Sequence, residues 1–307
     1  MWSLVLTELE QYSTILLYSA MVVYAIAFVF YAVDLANRSG DADIVQTATP
    51  AKQPRSRSLR IGFSLTVLGF ILQLGATILR GIGAERVPWA NMYEFALTAT
   101  CAIVFIFLLV QFFVDLRFLG ALVTGMTVLF LGVSKVNFYV EIVPLPPALD
   151  SYWLVIHILV AVLAVGFLTL SFGLSVLQLM QTRREAQIAA KEPVKGLRFL
   201  TSLPTAVRLE DLSYRVAIIG FVFWTFTLIA GSIWAESAWS RYWGWDTKEV
   251  WTFVIWVLYA GFIHARATRG WRGTRSAWLS IIAYTAVIFN FTIVNVFFKG
   301  LHAYSGL

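Results

Sequence analysis

The sequence predicts an all-α membrane protein, a polytopic helix bundle of about eight transmembrane helices. Three observations carry that expectation. Apolar runs of about 20 residues, the length that crosses a bilayer as a helix, recur eight times. The 307 residues are 59% hydrophobic and 13% charged, and the mean hydropathy is +0.77. A soluble domain is nearer half apolar and a quarter charged. Lysine and arginine, finally, are divided unevenly between alternate connections.

The runs come in order. Residues 12–33 form the first. Nothing before it resembles a cleavable signal peptide, because residues 1–11 lack a basic residue and carry Glu8 and Glu10, so the run is expected to remain as a span. Residues 35–60 mix Gly, Asp, Thr, Pro and basic residues and read as a cytoplasmic linker loop. Runs 61–79 and 92–114 flank a segment in which Asn91 is placed to cap a helix and Glu94 falls in its first turn. Run 119–136 leads to an outward turn at Pro144-Leu-Pro-Pro147, and run 151–179 follows. Residues 180–213 read as a second cytoplasmic loop. Its basic helical pattern at 183–191 is expected to be solvated or to lie on anionic lipid. Runs 214–233, 250–265 and 277–298 complete one integral membrane domain, 1–307.

Seventeen of the 23 Lys and Arg lie after the first, third, fifth and seventh runs. The positive-inside rule places those connections in the cytoplasm and both termini outside. It also accounts for the net charge of +6 without nucleic acid as a partner; membrane lipid is the expected one. The single cysteine, Cys101, excludes an internal disulfide, a Cys-x-x-Cys redox pair and a covalent Cys-x-x-Cys-His haem site, and reads as a buried small hydrophobe.

Between the sixth and seventh runs, on the outer side, lies the 234–249 segment. It holds Trp234, Trp239, Trp243 and Trp245, Tyr242 and five charged residues. Aromatic residues gather at membrane interfaces, but four tryptophans so close together exceed what anchoring one helix pair requires. An aromatic shelf of this kind suits a large flat apolar ligand with a charged edge, on which Arg241 and Lys248 can hold acidic groups. The chain has three histidines. His157 is about 9 Å deep from the outer side and His302 follows the eighth run directly, while His264 is about 21 Å from the outer face. An ionisable residue inside a span points to function. By depth the three divide into an outer pair and an inner single.

The Trp-rich segment resembles the "WWD" segment of haem-handling membrane proteins of cytochrome c maturation. Within that group it is most similar to the CcsA/ResC branch, whose pattern runs W-A…W-G-x-Y-W-x-W-D-P-K-E. Trp234, Ala235, Trp239, Tyr242, Trp243, Trp245, Asp246, Lys248 and Glu249 fall on that pattern. Ser240, Gly244 and Thr247 stand where Gly, Ser and Pro are usual. Asn91-Met-Tyr-Glu94 resembles the N-x-Y-E segment of the same family. The resemblance implies haem b as ligand and substrate, with imidazole as axial ligand. It implies that His157 and His302 bind the iron at an outer site and His264 at an inner one. The four tryptophans would pack the macrocycle, Arg241 and Lys248 would take the propionates, and Asp246 and Glu249 would orient the loop.

The function so implied is haem transport and presentation within a cytochrome c synthase (haem lyase) complex, in the bacterial cytoplasmic membrane, with the plastid thylakoid as the alternative. Its partners would be a ResB/CcsB-type membrane subunit and apocytochrome c bearing Cys-x-x-Cys-His. No residue reads as a nucleophile, as expected if the substrate brings the thiols. Three rivals compete. One is a haem-handling subunit of the multi-component maturation system. A haem-free transporter would need Gly or Pro breaks at mid-membrane, and none of the eight Pro falls inside a run. A bis-His membrane cytochrome with two haems would need four membrane histidines.

Overall fold

The computed structural model describes residues 2–41, 56–142, 151–194, 198–298 and 300–301. Among them are nine α-helices: α1 Trp2–Asp41, α2 Arg57–Gly83, α3 Met92–Val110, α4 Gly120–Asn137, α5 Tyr152–Ala189, α6 Ala206–Trp239, α7 Thr247–Arg269, α8 Thr274–Phe291 and the short α9 Ile293–Phe297. Eight of the helical segments are long and apolar enough to cross a membrane, and no strand occurs among the described residues. The all-α expectation and the count of eight hold.

The helices outrun the hydropathy runs that announced them. The 38 residues of α5 extend about 57 Å, against about 30 Å of hydrocarbon. Residues 183–189 therefore continue α5, and α6 has already begun at Ala206. The 180–213 connection contracts to 190–205, and the basic pattern is the largely exposed end of α5 beyond the hydrocarbon rather than a separate helix. In the same way residues 35–41 belong to α1 and 57–60 to α2. Hydropathy registers where the chain leaves hydrocarbon, whereas a helix ends only where its backbone finds another partner. The Pro144–Pro147 turn lies outside the described residues.

The core forms where α3, α5, α6, α7 and α8 converge, around Phe107, Leu168, Ala217, Trp224, Tyr259 and Phe262. α5 and α6 make the most extensive helix pair, α1 and α2 the next, and α3 bridges the two halves. Two tyrosines of α1 each lie on a glycine of a neighbouring helix. A Cβ at Gly69 would come within 2.6 Å of the Tyr24 ring, and one at Gly120 of α4 would collide with Tyr31. Small residues give the close approach that drives helix association in lipid.

Polar side chains inside the bundle find partners across helices, as a medium without water requires. Tyr24 Oη donates to Gln73 Oε1 (2.9 Å), and Gln73 Nε2 donates to Thr100 Oγ1 (2.8 Å) and Leu97 O (3.0 Å), joining α1, α2 and α3. Ser171 of α5 and Ser213 of α6 lie 2.9 Å apart. At one end of the bundle Arg266 holds Glu210 at 3.1 Å and Asp211 at 2.5 Å, and Gly273 N donates to Glu210, which ties α6, α7 and the turn into α8.

The opposite end carries a larger charged cluster. Arg80 of α2 has 1% of its side chain exposed and reaches Glu10 of α1 (2.5 Å), Glu94 of α3 (3.1 Å) and the Val140 carbonyl after α4 (2.7 Å). Arg86 meets the second Glu94 oxygen at 2.6 Å. Tyr139 donates to Glu10 at 2.6 Å; burial, then that bond, pushes its phenol up to about 12, so it remains a donor.

Candidate functional site

Five helix ends meet beside that cluster: the starts of α3, α5 and α7 and the finishes of α6 and α8. They enclose a partly open cavity with largely apolar walls, about 1070 Å³ of empty space when its opening to solvent is included.

His157 sits on the wall, five residues into α5, and is half-buried. Its Nδ1 lies 2.9 Å from the Thr227 carbonyl of α6. A carbonyl only accepts, so Nδ1 carries the proton and, in the neutral ring, Nε2 carries the lone pair. This is the arrangement that orients a metal-binding imidazole and fixes its tautomer. Gly231, one turn beyond Thr227, makes room: a Cβ there would stand 2.8 Å from the ring's Cε1. Trp234, 2% exposed, stacks on the imidazole at 5.9 Å and 20°.

The Trp-rich segment is not one shelf. Trp234 and Trp239 belong to the last turns of α6 and pack edge to face at 4.8 Å. Trp243 packs at right angles on Trp245, with ring centroids 6.1 Å apart. Of the four, Trp234 and Trp243 line the cavity; Trp245 is 75% exposed at the surface. The connection proper is residues 240–246. Its departures from the family pattern have local explanations. Ser240 caps α6 at φ 54°, the left-handed region where Gly is at ease, and Thr247 is the first residue of α7, where Pro is favoured. Gly244 lies under the Arg241 guanidinium, which a Cβ would strike.

Asp246 and Glu249 form a capping box at the start of α7. Glu249 accepts from Gly244 N at 2.8 Å and Asp246 N at 3.0 Å, so it holds the loop backbone. Lys248 reaches the cavity wall over the Phe291 ring (4.4 Å) and donates to the Asn290 carbonyl (2.9 Å) and Asn295 Oδ1 (2.6 Å). The break between α8 and α9 at Thr292 exposes the last carbonyls of α8, and Lys248 takes one of them. Arg241 folds back toward the Gly244 carbonyl (3.4 Å) and is not among the cavity walls.

His302 lies outside the described residues. Gly300 is described, and its Cα packs against the Asp246 carboxylate, so the chain reaches the Trp-rich loop two residues earlier. His264 is far from the cavity, about 26 Å along α7 from Thr247, and faces outward.

Sequence reasoning passed over Trp224 and Asn290 of α8; the 87–95 segment, which supplies Trp89, Met92 and Phe95, reads from sequence either as a cap with an interfacial belt or as part of the site lining. Asn290 is fully buried, and its Oδ1 lacks a hydrogen-bond partner among the described residues. A buried orphan acceptor on a cavity wall marks a place for a ligand or a water. Together with an oriented imidazole, aromatic walls and a lysine, it is a donor set that fits an amphipathic macrocycle with a metal at its centre.

Fold and site thus define a polytopic membrane protein with a histidine-bearing aromatic pocket at one end. Residues 89–302 match the family model described as cytochrome C assembly protein. The chain belongs to that family, as a CcsA-type cytochrome c biogenesis protein. It is 32% identical over 249 residues to the cytochrome c biogenesis protein CcsA of Heterosigma akashiwo (strain NIES-293 / 8280G21-1), covering 72% of this chain and 77% of that one. It is 30% identical over 274 residues to CcsA of Synechococcus sp. (strain RCC307), covering 82% and 87%. Among solved structures the cytochrome c haem lyase CcmF shares the fold, with a TM-score of 0.60 and 18% identity over 90% of this chain. The chain spans 46% of the length of CcmF.

Proposed function

We propose that this chain handles haem within a cytochrome c synthase of the bacterial cytoplasmic membrane, receiving it in the cytoplasmic half and presenting it outward to an apocytochrome c. The observation that carries this reading is the His157 Nδ1–Thr227 carbonyl bond on the wall of a partly open, aromatic-lined apolar cavity. Haem b is the cargo. His157 Nε2 and His302 would hold its iron. Trp234 and Trp243 bound the plane of the macrocycle, while Trp239 and Trp245 support them from behind and from the rim. Lys248 is the cation inside the cavity and Arg241 the one at its rim, for the propionates; Asp246 and Glu249 fix the loop that carries both.

The reaction served is thioether formation. Each thiol of a Cys-x-x-Cys-His site adds its S–H across a haem vinyl group, sulfur to one carbon and hydrogen to the other, with no leaving group. The chain's contribution is to hold the reacting atoms in place and shut out water. An absorption spectrum of the purified protein tests the reading: a Soret band is expected, and its absence after expression with ample haem would defeat the proposal. Topology gives an independent check. A reporter fused after Leu307 is expected to be extracytoplasmic and one inserted near Lys191 cytoplasmic. The reverse result would put the pocket in the wrong compartment.

The inner site needs a second chain. α7 is the least buried of the eight spans, and Phe253, Val257, Gly261 and His264 form one exposed stripe along it. A Cβ on Gly261 would meet nothing within 4 Å, so another helix can approach there. A ResB/CcsB-type subunit seated on this stripe would bring the fourth imidazole to a haem shared with His264. His264→Ala is expected to lower the haem content of the complex by half while leaving the outer site loaded. Gly261→Leu is expected to weaken subunit association in pull-down. Full loading of the His264→Ala complex with normal cytochrome maturation would remove His264 from the haem path.

A further inference from the structure

A second cavity lies beside the first. It lies between α3, α4 and α8 and shares Met92, Phe95 and Phe291 with the first as a common wall. Phe95 and Phe291 stack in that wall at 4.9 Å and 14°. The lining is almost wholly hydrocarbon, and the hydroxyls on it are occupied with one exception. Thr100 donates to the Ala96 carbonyl, Thr292 to that of Ile288, and Tyr284 pairs with Thr169. Ser134 of α4 is 4% exposed, and its Oγ has no partner among the described residues.

Position along the helices says what would satisfy that hydroxyl. Ser134 is three residues, about 4.5 Å, from the Asn137 end of α4, whereas the Ile103 wall is about 17 Å into α3. The cavity therefore begins near the membrane interface and descends about half a bilayer, with its one unsatisfied donor at the shallow end. Val133 on its wall is 46% exposed, so the mouth opens sideways to lipid. An ester-linked acyl chain has the same layout, a carbonyl acceptor at the interface and hydrocarbon below it.

We propose that this cavity is a binding site for one acyl chain of a phospholipid from the leaflet on the Trp-rich side, its ester carbonyl accepting a hydrogen bond from Ser134. The chain would back the Phe95–Phe291 wall of the first pocket. The site stands whether or not that pocket holds haem.

The test uses the full-length protein, purified in mild detergent and reconstituted with a diacyl phospholipid carrying a diazirine near the middle of one chain. Photolysis followed by peptide mass spectrometry is expected to place the label on cavity walls such as Ala99, Ile103 and Phe130. Ser134→Ala is expected to lower labelling about fivefold, the loss of one hydrogen bond, and Ala99→Phe, which fills the cavity, to abolish it. Thermal unfolding of both variants, matched to the parent, shows that they are folded; if Ala99→Phe is not, Ser134→Ala carries the test alone. Label confined to outward faces such as Leu129, or wall labelling unchanged in Ser134→Ala, would overturn the proposal. So would a porphyrin in place of lipid in this cavity.

Discussion

His157→Ala is expected to abolish cytochrome c maturation and to lower haem retention by the purified protein about 100-fold or more. Loss of even an outer-shell partner of a metal ligand commonly costs 10–100-fold, and here the ligand itself is removed. The surroundings make the result specific. Nδ1 is held by the Thr227 carbonyl at 2.9 Å, one ring face is covered by Trp234, and Gly231 leaves the space in which the ring stands. Alanine leaves a ring-sized hole whose walls are otherwise intact, so millimolar imidazole added to the cells or the preparation is expected to restore part of both signals. His302→Ala, at the proposed second ligand, is expected to behave in the same way. Normal maturation by His157→Ala without imidazole would show that this side chain is not an axial ligand. Loss of function that imidazole cannot relieve, together with loss of folded protein, would make its role structural.

Much of this was legible in the chain, and the parts that were not share a physical reason. The eight spans and the Asn91 cap were readable because hydropathy and capping are local: Asn91 Oδ1 does accept from Glu94 N, at 2.9 Å. His157 stood out because ionisable residues are rare in spans. The pocket walls from Trp224 and Asn290 were invisible, since only packing of distant helix ends brings them together and each alone reads as interface or core. The Trp-rich stretch shows the opposite limit. Four tryptophans within sixteen residues read as one surface, but the helical turns of α6 and the left-handed Ser240 send them to two clusters. Lys248 read as a propionate partner; its bonds to Asn290 and Asn295 arise from the break at Thr292, for which the sequence carries no Gly or Pro signal.

Glu94→Ala is expected to destabilise the protein by about 3–5 kcal/mol, the usual cost of removing one partner from a buried ion pair. Glu94 is fully buried and accepts four hydrogen bonds: from Arg80 Nε (3.1 Å), Arg86 Nη1 (2.6 Å) and Nη2 (3.3 Å), and Ala90 N (3.0 Å). Without it Arg80 keeps Glu10 and the Val140 carbonyl, but two guanidinium groups are left facing each other with one carboxylate fewer, where water cannot compensate. Glu94→Gln keeps the shape and loses the charge, so it should fall between the parent and the alanine variant. Arg86→Ala should cost less than Glu94→Ala, because it leaves Glu94 still paired with Arg80. The effect reaches the pocket through the backbone. The bond from Ala90 N is one of those that hold the 89–92 turn, and Trp89 and Met92 on that turn are pocket walls. Haem affinity is therefore expected to drop in Glu94→Gln even at temperatures where the variant is fully folded. Thermal unfolding in detergent and a haem titration of the same preparations measure the two effects separately. An alanine variant within about 0.5 kcal/mol of the parent, the range of ordinary surface substitutions, would show that the cluster contributes nothing to the bundle. A stability loss with unchanged haem affinity would confine its role to holding α1, α2 and α3 together.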